Sequence, residues 1–208
     1  MRVKSGTEVQ QFVERQPEGE PFSPTELLLY GTRASIDQAL SRLTKDGVIE
    51  RVARGVYVKP KRSRIVGTVP PSPVAVAKTY ARARGIPVTT PGAQVLAEYG
   101  LSTQTPVTSV LSAGVNGKKT LKIGNRQVTL RHAPRYVLRQ AGTPAGDALA
   151  ALQHLGRRRA DEGHAVLARL DPATFDRLLE LRPTLPGWLA DLITTHARGA
   201  VRPGSARP

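Results

Sequence analysis

Cysteine is absent from the 208 residues, and methionine and tryptophan occur once each. Without cysteine there is no disulfide and no thiolate metal site. The four histidines, His132, His154, His164 and His196, show no ligand spacing, so neither a metal nor a cofactor is expected. Acidic residues are scarce as well: 16 Asp and Glu stand against 31 Lys and Arg. General acid–base and metal-assisted chemistry usually needs carboxylates, yet Glu98 is the sole acid between residues 65 and 140. There is also no Gly-rich phosphate loop ending in Lys-Ser/Thr, no His-Glu-x-x-His and no nucleophile elbow. These absences argue against an enzyme. Aromatic residues make up only 4%, which leaves few stacking platforms for single-stranded RNA. The longest apolar runs, such as Leu27-Leu28-Leu29-Tyr30, are short, and the amino-terminal MRVKSGTEV has no apolar signal core. A cytoplasmic chain with no membrane partner is the expectation.

What the chain has in excess is positive charge, a formal +15 with a pI near 11. So large a charge repels itself and points to a polyanion partner. Residues 1–64 hold 12 basic and 8 acidic side chains, residues 65–140 hold 10 and 1, and residues 141–208 hold 9 and 7. The middle of the chain carries most of the field.

Residues 22–59 read as helix, tight turn, helix and hairpin. Ser23 and Glu26 form a capping pair with Pro24 at the first helical position, and Gly31 stops that helix. Thr32 starts a second helix in which Ile36, Ala39, Leu40 and Leu43 make one buried stripe. Gly47 ends it. Val48, Ile49 and Val52, then Val56 and Val58, alternate around Ala53-Arg54-Gly55, which reads as a short hairpin with a basic tip. A helix-turn-helix followed at once by a hairpin is a winged helix, the order of a major-groove reader. The stripe leaves Ala34, Gln38, Ser41 and Lys45 facing outward, flanked by Arg33, Ser35, Asp37 and Arg42. These are side-chain types that read base edges and phosphates.

Before this stretch, Val9, Phe12 and Val13 predict a helix over residues 7–15, and QPEGEP a loop. After it, KPKRSR (59–64) is either a linker or an arm lying along phosphates. Residues 65–140 read as a mixed α/β unit. A helix follows Ser72-Pro73, Val88–Thr90 is a short strand, Pro91-Gly92 opens a helix, and Val107–Leu111 is a strand. Asn116-Gly117 is a turn before a hairpin, Thr120–Ile123 with Gln127–Leu130, closed through Gly124-Asn125. Lys118, Lys119, Lys122, Arg126 and Arg131 make that hairpin either a solvated face or a phosphate-binding surface. Residues 144–195 predict four helices, with Arg157-Arg158-Arg159 in a loop between two of them.

The expected fold class is therefore α+β. An N-terminal winged helix-turn-helix domain (residues 1–62) precedes a C-terminal domain (65–196) composed of the α/β unit (65–140) and a helical bundle (144–195). Residues 197–208 are expected to be a disordered tail.

Several separate stretches, taken in order, are more specific than a winged helix alone. TRASIDQALSRLTKDGVIERVARGVYVKP, TTPGAQVLAEYGLSTQTP, LKIGNRQVTLRHAPR, ALQHLGR and LPGWLADLI together resemble the abortive-infection E type antitoxins of bacterial type IV toxin–antitoxin pairs. The likeness covers residues 7–195. It implies a repressor of its own operon, bound to double-stranded operator DNA with inverted repeats. It also implies an antitoxin domain that counteracts a co-encoded nucleotidyltransferase-like toxin. By the resemblance Arg33, Ser35, Gln38 and Arg42 fall on the recognition helix, and Arg51 and Arg54 on the wing; Thr32 and Lys45, on the same helix, complete the expected DNA contacts there. The competing expectation is a standalone regulator whose middle unit senses a small anionic ligand. That reading requires a concave pocket, whereas the sequence offers a basic surface.

Overall fold

The computed structural model describes residues 5–65, 67–102 and 109–200. The chain runs through α1 (Ser5–Arg15), β1 (Pro21–Phe22), a 3-10 turn (Pro24–Leu27), α2 (Arg33–Lys45), β2 (Glu50–Ala53), β3 (Val56–Val58), β4 (Lys61–Ser63), β5 (Gly67–Val69) and α3 (Pro73–Arg82). It continues through β6 (Val88–Thr89), α4 (Gly92–Glu98), β7 (Ser109–Ala113), β8 (Lys118–Ile123), β9 (Arg126–His132), α5 (Arg135–Leu138), α6 (Pro144–Leu155), α7 (Ala160–Leu167), α8 (Pro172–Leu181) and α9 (Gly187–Ala200). This mixed α+β chain clusters into two compact units, Met1–Pro87 with Lys118–Leu130, and Val88–Gly117 with Arg131–Pro208. The units do not follow the expected break at residues 62–65, because α3 and the β8–β9 hairpin pack with the amino-terminal elements. No helix among the described residues is long and apolar enough to cross a membrane.

In the first unit, Thr32 caps α2 by accepting from the Ser35 N–H at 3.3 Å. Ile36, Ala39 and Leu40 are buried against Val9 and Val13 of α1, Phe22, Leu27 and Ile49. Phe22 lies between Phe12 and Tyr57, with ring centroids 5.6 and 6.1 Å away. Each such apolar side chain contributes about 1.5–3 kcal/mol by burial. Gly47, at φ 69°, ends α2. An antiparallel sheet follows in the order β1-β3-β2, with both Pro21 and Glu50 opposite Val58. Its register shifts between Arg51 and Ala53, ahead of the turn at Gly55 (φ 74°). α3 packs on this sheet, with Val76, Ala77 and Tyr80 buried, and the buried Thr79 hydroxyl donates to the Pro21 carbonyl at 3.3 Å.

The expected helix from Pro24 to Gly31 is a single 3-10 turn. Its start is as anticipated, with the Ser23 N–H donating to Glu26 Oε1 at 2.9 Å. Continuing it would bury nothing, since Leu28 and Leu29 are 50% and 93% exposed. Two further departures are strands without apolar alternation. Pro21 adds to β3 where a loop is expected, and Lys61–Ser63 of the basic KPKRSR stretch pairs with Gly67–Val69 as a two-stranded ribbon. Charged side chains are what edge strands commonly carry, so periodicity does not reveal them. Strand β2 also begins only at Glu50, leaving Val48 exposed.

In the second unit, β6 and β7 pair antiparallel, and the helices enclose a core that includes Val95, Leu149, Leu152, Val166, Leu178 and Ile193. Gly92 is required where α4 meets α6, because a Cβ there would lie 2.0 Å from the Ala150 carbonyl oxygen. The Asp171 carboxylate caps α8, accepting from the Thr174 hydroxyl and N–H at 2.6 and 2.9 Å. These bonds, the hydroxyl first, hold its carboxyl below the ordinary value. His164 and His196, far apart in sequence, meet with their Nδ1 atoms 3.2 Å apart and Phe175 edge-on to His196. Arg157–Arg159 form a 3-10 turn, and α5 has no counterpart in the periodicity. Of the expected tail, residues 197–200 complete α9 and the remainder lies outside the described residues, as do Val107 and Thr108 of the expected strand.

Candidate nucleic-acid interface

The outer face of α2 presents Ala34, Gln38, Ser41 and Lys45 to solvent, opposite its buried stripe. Two concavities flank this face within the first unit. Ser35, Gln38 and Arg42 border one of about 580 Å3, shared with Thr7 and Gln10 of α1. Arg33, Ser41 and Lys45 border the other, of about 620 Å3, shared with Arg51 and Arg54 of the β2–β3 hairpin. The expected reading residues thus divide between two sides of one helix.

Several of them already have partners. The Thr32 hydroxyl is spent on the helix cap, and the Ser35 hydroxyl donates back to the Thr32 carbonyl at 2.8 Å. Arg33 Nε approaches both Asp37 carboxylate oxygens, at 2.9 and 3.0 Å. Both residues are about half exposed, and such pairs one helical turn apart are worth only about 0.3–0.5 kcal/mol, so a phosphate can displace the carboxylate. Among the described residues, Gln38, Arg42, Lys45, Arg51 and Arg54 have no ion pair and no side-chain hydrogen bond.

Arg84, two residues beyond α3, was not among the expected DNA contacts. Its guanidinium lies 3.6 Å from the Tyr80 ring centroid, Nη1 donates to the Tyr80 carbonyl at 3.2 Å, and Nη2 donates to the Arg54 carbonyl at 3.0 Å. It therefore braces the hairpin tip. Lys119 Nζ stands 5.1 Å from the same ring. The Tyr80–Arg84 spacing is legible in sequence, but the reach to Arg54 across 30 positions is not. With Arg84 included, the hairpin-side cleft holds five cations, Arg33, Lys45, Arg51, Arg54 and Arg84, against one acid, Asp37, already engaged by Arg33.

The basic residues of the middle segment separate. Lys118, Lys119, Lys122 and Arg126 belong to the first unit, where β8 packs beside β2. Lys122 is exposed while Leu121 and Ile123 are buried, as the alternation requires. Arg51 borders both the hairpin-side cleft and a second concavity of about 480 Å3 that reaches Asn125 and Arg126. Arg131 belongs to the second unit and lines a different cleft with Gln153 and His154. Among the described residues, no group of three or more His, Asp or Glu side chains could hold a metal ion.

Residues 8–168 match the model of a family described as "Family of unknown function (DUF6088)", and the chain belongs to that family. No curated protein and no solved structure matches the chain.

Proposed function

We propose that the chain is a DNA-binding transcriptional autorepressor, with α2 as the recognition helix of a winged helix and the β2–β3 hairpin as its wing. It also acts, without catalysis of its own, as the antitoxin to a co-encoded nucleotidyltransferase-like toxin. The observation that carries the DNA reading is the cleft between α2 and the hairpin, where five cations face one acid already engaged by Arg33. A field of that sign favours a polyanion, and the helix beside it offers small and amide side chains of the kind that read base edges. The third strand, β1, and the Arg84 brace steady the hairpin as a wing would need. The antitoxin role rests on the resemblance in sequence alone.

The test is affinity for the DNA upstream of the chain's own gene against a scrambled duplex, measured by mobility shift over a range of salt. Specific binding is expected, and Gln38→Ala should cost about 1–3 kcal/mol at one base-pair position. Equal affinity for both duplexes, with no effect of Gln38→Ala, would overturn the reading. For the antitoxin role, Arg54→Ala should relieve repression while still protecting cells that express the adjacent toxin. Failure of the wild-type chain to protect those cells would remove that role and leave the DNA reading standing.

A further inference from the structure

A regulator that senses a small anion needs a concave pocket, and the second unit contains one. It is a cleft of about 280 Å3 lined with apolar surface from Ala133, Pro134, Val137 and Ala150. Its polar lining comes from Ser112, Arg131, His132, Gln153 and His154, and no acidic residue among the described residues borders it. Small-molecule sites have this composition: a mostly apolar wall with a few convergent polar groups.

Two of those polar groups, Arg131 and Gln153, have donors to offer an anion. The Arg131 guanidinium has no ion pair or hydrogen bond among the described residues, so its planar fork is available for two-point binding to an oxyanion. His132 Nδ1 lies 2.9 Å from the Val115 carbonyl oxygen; a carbonyl can only accept, so Nδ1 carries the proton and Nε2 is an acceptor, suited to a hydroxyl or amide hydrogen and not to the anion itself. The Tyr136 hydroxyl donates to Gln153 Oε1, which leaves the amide hydrogens of Gln153 as donors. Burial pushes the Tyr136 phenol up to about 12, which keeps it in that donor role.

The backbone around the cleft is fixed as well. The His132 and Ala133 N–H groups donate to the Gly117 and Ala113 carbonyls at 2.8 and 2.9 Å. The close approach of Gly92 to Ala150 sets the opposite wall. Binding to a preformed site avoids an ordering cost.

From this geometry we infer that the second unit binds a small organic anion, a carboxylate or phosphate monoester carried on an apolar body, with Arg131 taking the charged end and the Ala133–Val137 surface the apolar end. The inference does not depend on the DNA reading. It does reassign Arg131, which the sequence placed among the DNA contacts.

The experiment is calorimetric titration of the full chain with benzoate and phenyl phosphate, which share an apolar body, against inorganic phosphate and benzamide, which each supply one half of the chemistry. At least one of the first two should bind about tenfold or more tighter than either control, and which of them is tighter identifies the headgroup. Arg131→Gln should weaken that binding about tenfold, while Arg135→Gln, an exposed arginine outside the cleft, should leave it unchanged. Arg131 is itself exposed, so the variant should fold, and an unaltered melting curve verifies this. Absence of binding by both organic anions overturns the inference. So does inorganic phosphate or benzamide binding as tightly as they do, or full affinity in Arg131→Gln.

Discussion

The two units use their residues differently. The first holds 19 basic and 8 acidic residues, a formal +11, while the second holds 12 and 8, a formal +4. The first has an aromatic core of Phe12, Phe22, Tyr30 and Tyr57 under small sheets. The second is built from alanine- and leucine-rich helices, where Ala145, Ala148, Ala150 and Ala151 of α6 are all buried and glycines allow backbones to touch. The difference teaches that charge and packing are segregated. Substitutions of exposed cations in the first unit should act on nucleic-acid binding, and those in the helical core of the second on stability.

The largest effect on stability is expected from Leu149→Ala, a fully buried position in α6. It should cost about 2–5 kcal/mol in denaturant unfolding, with the salt dependence of DNA binding unchanged in the fraction that remains folded. A loss of under about 1 kcal/mol would show that this core is not the close-packed one described. Gly92→Ala comes next, because its new methyl would meet the Ala150 carbonyl, a backbone atom that cannot rotate away. A loss of about 1–3 kcal/mol is expected, and a thermal melt equal to wild type would disprove the close approach.

Charge removal in the first unit is the converse case. Arg51→Ala and Arg126→Ala, both exposed and without an ion pair among the described residues, should each lower the slope of log affinity against log salt by about one for all duplexes alike. Stability should move by less than about 0.5 kcal/mol. An unchanged slope in both variants would place the DNA elsewhere.

The smallest effect is a pH dependence in the second unit. Burial, and then the charge of His164, push His196 below its ordinary value. The unfolded chain therefore takes up a proton near pH 6.5 that the folded chain resists. The contribution is present above that pH and is lost as pH falls through 6.5 toward the folded value. His196 is only partly buried, so the change should stay under about 1 kcal/mol. His196→Phe, which keeps an aromatic ring against Phe175, should flatten unfolding midpoints between pH 7.5 and 5.5; an equally sloped profile in the variant would assign the dependence to another group.

Elements with strong periodicity were legible in the sequence. The buried stripe of α2, the alternation around Lys122, and the proline-led start of α3 all follow from apolar spacing and capping chemistry. The two-residue β1, the charged β4 and the shortness of the turn at Pro24–Leu27 were not, because their form depends on which surfaces come to cover them. For the candidate interface, the outward position of Gln38 and Lys45 was legible. The division of α2 between two concavities, the Arg33–Asp37 pair and the Arg84 brace were not.

By itself the sequence determined the excess of positive charge, the scarcity of acids, and the local run of helix and hairpin, since these are properties of composition and of contacts a few residues long. Only the tertiary structure decided where the charge is used. It brings Lys118–Arg126 into the unit of α2 and leaves Arg131 to a cleft with Gln153 and His154. That partition is set by long-range packing of α3 against β1–β3 and of β8 against β2 and α3, and the separation of two adjacent stretches of one strand leaves no trace in residue spacing.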